Sequence, residues 1–253
     1  MPDDSPIELD PARQHARACG LALLEVSRSY ETLTLPAEET GKAAILALIG
    51  RARRLLLAAY LLADAGLDLE AGSSRRALVE YFLMVRWLLT DQDTNLMRWQ
   101  PDDARRRLLA DDAVRSGGDG GMTEEMRRDT ERLVADLRDA FKTRGIHKPR
   151  VPNIETLAVE LPFIYVVYRF ESQISTHPSM WAAEQLLARN RDGTWQLHAG
   201  PTGRIEQAQV ETYGVCAYSL LELLSMLDER LPEPMIETGR LDSIRAQLEN
   251  PTG

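Results

Sequence analysis

Five polar side chains gather within three turns of an otherwise apolar helix: Tyr168, Arg169, Ser172, Ser175 and His177. Tyr168, Ser172 and Ser175 stand at i, i+4 and i+7 and share one face, with Arg169 about 100° to the side. His177 is followed by Pro178, which ends the helix and sets the geometry of the residue before it. These residue types suit acid–base chemistry on an anion. Arg169 would bind the anion, His177 would carry the proton, and the hydroxyls would orient it. The alternative is a buried network that fixes helix packing, because a polar group buried without a partner costs about 1–3 kcal/mol.

A second pair lies upstream. Arg76 and Glu80 stand at i, i+4 and can form an ion pair. If their helix packs against the first, Glu80 can meet Arg169 or His177 and hold one histidine tautomer. If it does not, the pair is an ordinary surface contact worth a few tenths of a kcal/mol. Catalysis therefore falls to His177 and Arg169, supported by Ser172 and Glu80. Ligand binding falls to Arg76, Tyr168, Ser175 and Trp181. A third reading places a small molecule among Tyr60, Tyr168, Trp181 and Trp195, aromatic residues of the kind that line such pockets.

Other chemistries lack their signatures. The four histidines, His15, His147, His177 and His198, form no His-Glu-x-x-His or Glu-x-x-His motif, so no metal is expected. There is no G-x-G-x-x-G, P-loop or G-x-S-x-G, and no cofactor is expected. Gly117, Gly118, Gly120 and Gly121 follow no strand and precede no Lys-Ser/Thr, so they are not a phosphate loop. The clusters Arg51/Arg53/Arg54 and Arg105/Arg106/Arg107 can touch phosphates or pair with nearby carboxylates.

Composition narrows the setting. The chain has 253 residues, 44% of them hydrophobic, with a net charge of -9. That balance argues against broad electrostatic binding to nucleic acid. Cys19 and Cys216 are far apart and suggest neither a disulfide framework nor zinc, so a reduced cytoplasmic setting is expected. The acidic start lacks a signal-peptide core. The apolar stretch Ala43–Ala65 carries Arg51, Arg53 and Arg54 at its middle, which excludes a membrane span.

The elements that must position these residues are helical. The expected fold class is all-α, a single multi-helix bundle of about seven to nine helices in one domain over 1–253. The spacing predicts helices over 11–32, 36–65 (apolar on nearly every side, hence central and buried), 69–90 and 101–114. A flexible glycine loop follows over 115–122. Thr123 opens a helix ending near Gly145, and Asn153 opens the polar-cluster helix, kinked at Pro162. A seventh helix is expected from Ser179 to about Arg189. A small hairpin or turn over 191–198 has Asp192-Gly193 at its tip. A long helix spans 205–231, with a stripe of Val210, Tyr213, Ala217, Leu220, Leu224 and Leu227. A short helix follows over 242–248.

The run Arg75-Arg76-Ala-Leu-Val-Glu80, with Tyr168-Arg169-x-x-Ser172-x-x-x-x-His177-Pro178-Ser179 downstream, resembles a bacterial helical family known only as a domain of unknown function. The resemblance covers about Leu46 to Leu227 and implies an all-α fold. That family is distantly similar to HEPN domains, many of them metal-independent ribonucleases or nucleotide-binding modules. Their site pairs an Arg with a His, four to six residues lying between them, usually across a dimer interface. Here seven residues separate Arg169 from His177. The resemblance implies an RNA- or nucleotide-directed site at Arg169 and His177 in a homodimer. The reading that rivals it is a non-catalytic helical binding or assembly protein.

Overall fold

The structure is a computed structural model. It describes residues 9–36, 39–118, 120–145, 151–174, 187–189, 194–197, 205–231, 235–237 and 239–250, without the side chains of 68, 173–174, 187–189, 195–197 and 205–211. The described elements are α1 (Pro11–Val26), continued by a 3-10 turn (Ser27–Thr32), α2 (Thr40–Asp64), α3 (Asp68–Thr90), α4 (Gln92–Gly117), α5 (Glu124–Thr143), α6 (Ile154–Ala158) and α7 (Pro162–Ile174), then β1 (Leu187–Arg189), β2 (Trp195–Leu197), α8 (Ile205–Asp228) and α9 (Arg240–Glu249). The architecture is all-α, a multi-helix bundle with one small two-stranded ladder. The chain divides into two compact units, Met1–Arg86 with Ile154–Gly253, and Trp87–Asn153.

In the first unit α1 and α2 both pack on α8, and α9 packs against α1 and α8. The 3.6-residue period explains the choice of faces. On α2 the buried residues Ile45, Ile49, Ala52, Leu56, Ala59, Tyr60 and Ala63 form one stripe. The expectation that α2, apolar on nearly every side, is central and buried holds for this stripe only. Leu61 is 61% exposed, and Leu57, Arg51 and Arg54 also face outward. Composition counted apolar residues on every side, but only the stripe meets neighbouring helices. On α8 the expected stripe is buried from Tyr213 through Leu227, while the side chain of Val210 is not described.

At the centre, Tyr60 and Tyr213 meet edge-on with ring centroids 4.8 Å apart. The Tyr60 hydroxyl donates to the Tyr213 carbonyl at 2.9 Å. Gly20 on α1 makes room for this ring, since a Cβ there would lie 1.9 Å from the Tyr60 hydroxyl. The Tyr213 hydroxyl in turn donates to Asp64, which also receives Arg17 in a fork whose closest contact is 2.6 Å. Helix α2 ends as expected at Gly66, whose φ of 74° suits glycine. The Gly66 N–H donates to Ala63 O at 2.9 Å and the Leu67 N–H to Leu62 O at 2.8 Å, the paired bonds of a Schellman motif.

In the second unit α4 and α5 pack on each other. Helix α4 starts nine residues before Pro101, which therefore lies inside it rather than in its first turn. Asp91 caps it, accepting from the Thr94 N–H at 3.4 Å. Its far end reaches Gly117, into the stretch read as a flexible loop. The loop beyond is fastened at Met122. The Asp111 carboxylate accepts the Met122 N–H at 2.6 Å, and Arg115 donates to the Met122 carbonyl at 2.7 Å. Gly121 is required at this approach, because its φ is 102° and a Cβ would lie 2.4 Å from Asp111 Oδ1. The Met122 N–H, against the opposing effect of burial, and then Arg127 and Arg115 hold the Asp111 carboxyl below the usual carboxylate range. Thr123 caps α5 as expected, accepting from the Met126 N–H at 3.2 Å.

Two further boundaries differ from expectation. The polar-cluster helix is not kinked at Pro162 but broken, and Pro162 opens α7. Proline lacks an N–H and fits a first turn, where no intrahelical acceptor is waiting. Residues 187–189, expected to end a helix, form a strand. Leu187 pairs with Leu197, Ala188 with Gln196 and Arg189 with Trp195, in antiparallel register. The expected Asp192-Gly193 tip and the helix start at Ser179 lie outside the described residues.

Candidate functional site

Adjacent residues on a helix point about 100° apart. Arg75 and Arg76 on α3 therefore enter different surroundings. Arg75 continues inward the apolar stripe of Leu78, Phe82, Val85 and Leu89. Its side chain is 3% exposed and its partner Glu171, on α7, is 1% exposed. Arg75 Nε donates to Glu171 Oε1 at 2.7 Å, and Nη2 donates to the same oxygen. The third guanidinium nitrogen, Nη1, donates to the Thr212 hydroxyl on α8. One buried cation thus ties three helices.

Cys216 stands one turn after Thr212 and is fully buried. Burial pushes its thiol up to about 12, with Arg75 opposing and Glu171 adding to the shift. It is a protonated core group at neutral pH, not a nucleophile.

Arg76 lies at the half-buried edge. Its Nε donates to Glu80 at 3.0 Å, and its guanidinium carbon sits 5.1 Å from the centroid of the Tyr168 ring. Nη2 also reaches the Tyr168 hydroxyl at 3.5 Å. The structure therefore brings Arg76, Glu80 and Tyr168 together, and α3 does meet α7.

It does not bring Arg169 to them. Residues 169 and 171 lie about 200° apart around α7, so Arg169 faces away from Glu171. Arg169 is 53% exposed and pairs with Glu155 at 3.1 Å, where Tyr165 also donates at 3.3 Å. Glu80 pairs with Arg76, as their i, i+4 spacing allows, while Arg169 pairs with Glu155. The Ser172 hydroxyl donates to the Tyr168 carbonyl one turn back at 2.7 Å. That bond serves the helix, as serine in a helix interior often does. Ser175, His177 and Trp181 lie outside the described residues. Of the other aromatic candidates, Tyr60 is a core residue and the side chain of Trp195 is not described.

Sequence reasoning missed Arg75, Glu171 and Thr212. A signal was available for the first, because Arg75 precedes Leu78 by three residues and so sits in phase with the apolar stripe. A charge in the apolar phase of a helix needs a buried partner. Nothing local named that partner.

Among the described residues, no group of three or more His, Cys, Asp or Glu could hold a metal ion. No described helix is long and apolar enough to cross a membrane. Residues 42–194, more than half of the chain, match DUF5677, a family of unknown function. No curated protein and no solved structure matches the chain.

Proposed function

The chain belongs to DUF5677, a family of unknown function, and we propose that it is a non-catalytic helical assembly protein that pairs with a second copy of itself. The polar cluster of α3 and α7 is, on this reading, a structural network. One observation carries it: α7 buries Ile164 and Glu171 and still leaves a second apolar face outward. Phe163 is 62% and Val166 64% exposed, Phe170 follows on the same helix face, and Val159 in the preceding turn is also exposed. A contiguous apolar face on a helix whose charged residues are already paired is the character of an interaction surface.

The face carries both signs of charge at its edge, Arg169 and Glu155. It can therefore complement itself across a twofold axis. The rival reading, a HEPN-like RNA- or nucleotide-directed site at Arg169 and His177, is favoured by the solvent exposure of Arg169 alone. Its ion pair with Glu155 opposes phosphate binding there.

Sedimentation velocity across a wide concentration range tests the proposal, on wild type and on Val166→Glu. A wild-type dimer that becomes monomeric in Val166→Glu, with an unchanged melting temperature, is the expected result. A wild type that stays monomeric throughout overturns the assembly reading. RNA cleavage lost in Arg169→Ala would favour the rival.

A further inference from the structure

A second feature of the first unit lies away from α7. A cavity of about 400 Å³ opens between α1, the 3-10 turn and α2. Leu24, Leu46, Ile49 and Leu57 supply apolar wall, and Arg53 and Arg54 supply positive charge. Its size is that of a small-molecule pocket.

The charges can be counted. Arg53 Nη1 pairs with Glu31 at 2.7 Å, and Nη2 reaches the Leu24 carbonyl at 3.4 Å. Arg53 Nε is buried and has no hydrogen-bond partner. Arg54 makes no ion pair or hydrogen bond with any described residue. Arg53 and Glu31 cancel, so Arg54 leaves the cavity one positive charge in excess. A polyanion would set its further charges beside Glu31, whereas a monoanion would not.

Gly50 adds an independent observation. It lies in the middle of α2 and lines the cavity. Glycine in a helix interior is about 1 kcal/mol less favourable than alanine. At Gly20 packing explains the glycine. At Gly50 no atom lies within 4 Å of the position a Cβ would take. Gly214 on α8 is likewise open, but of the two only Gly50 lines this cavity. Here its missing side chain widens the cavity beside Arg53 and Arg54.

We propose that this cavity binds a small aliphatic monocarboxylate, its carboxylate at Arg54 and its chain along Leu46, Ile49 and Gly50. The inference stands on residues separate from the α7 face and does not depend on self-assembly.

Calorimetric titration of the full chain with octanoate tests it, with octan-1-ol as the uncharged counterpart and AMP as the polyanion. Saturable binding of one octanoate per chain is expected, with octanol at least tenfold weaker. Arg54→Gln should lower octanoate affinity about tenfold, and Gly50→Leu should abolish binding by filling the cavity. Thermal unfolding of each variant shows whether it is folded, and Arg54→Gln, an exposed change, suffices should Gly50→Leu fail to fold. No octanoate binding overturns the proposal. So does binding unchanged in Arg54→Gln, equal affinity for octanol, or tighter binding of AMP.

Discussion

Arg75 and Glu171, 96 residues apart in sequence, meet as a buried ion pair between α3 and α7, with Thr212 of α8 closing the third side of the guanidinium. Removing one partner leaves the other charged and desolvated. Glu171→Ala is therefore expected to lower stability by about 3–5 kcal/mol. The pair itself is worth far less than that. A double variant, Arg75→Met with Glu171→Leu, should recover most of the loss, since apolar side chains of similar volume need no desolvation of charge. Urea unfolding of the two variants and wild type checks both. A single variant within about 1 kcal/mol of wild type would show that the pair is not buried in solution.

Two of the α-helical glycines of the first unit, Gly20 and Gly50, should respond with opposite signs. Gly20→Ala places a methyl against the Tyr60 ring, which is fixed by its bond to Tyr213. Overpacking of this kind costs about 1–3 kcal/mol. Gly50→Ala meets nothing and should gain up to about 1 kcal/mol from helix propensity. Melting temperatures of the two variants, one falling and one rising, test the packing of α1 on Tyr60. A Gly20→Ala protein as stable as wild type would contradict it.

Neither cysteine should behave as a reactive thiol. Burial pushes both Cys19 and Cys216 upward, and Cys216 reaches about 12. At pH 8 both remain protonated and shielded. DTNB should label neither in the native protein and both after unfolding in guanidinium chloride. Rapid native labelling of one thiol would mean that the core opens around it.

Acid should weaken the protein partly through Asp64. Burial raises this carboxyl, but the hydrogen bonds from Arg17 and Tyr213 outweigh it and hold the group below the usual range. The unfolded chain, with an ordinary aspartate near about 3.9, then binds more protons than the folded one in the window between the two values. Stability therefore rises with pH through that window. The contribution is complete above about pH 5 and is lost as pH falls below the unfolded value, given that ordinary aspartate. Asp64→Asn should flatten the acid limb of a stability–pH curve measured from pH 6 down to 2. An acid limb as steep as wild type would place the dependence elsewhere, with Asp111 the next group to test, since its carboxyl is also held low.

Much of the architecture is legible in the sequence. The period of apolar residues located α3 and α8 to within a few residues, because a helix that buries one face must repeat every 3.6 positions. Gly66 and Thr123 marked their helix ends, because capping is a local matter of φ and of a single hydroxyl. The pairing of Arg76 with Glu80 was legible for the same reason: four residues on a helix is a fixed distance. That local signal also misdirected attention, since the more deeply buried cation is its neighbour Arg75.

What only the tertiary structure decided is which residues separated by long stretches of chain meet. Sequence could place Arg169 and Glu171 on one helix, and their spacing put them on opposite sides. It could not say which side faced the core. Packing turned Glu171 inward to Arg75 and left Arg169 at the surface with Glu155. The same choice exposed Phe163 and Val166, which composition alone assigns to an interior. Local periods and caps depend on the backbone within a few residues and can be read along the chain. The burial of a face depends on which other helix arrives there, and that is settled only when the chain has folded.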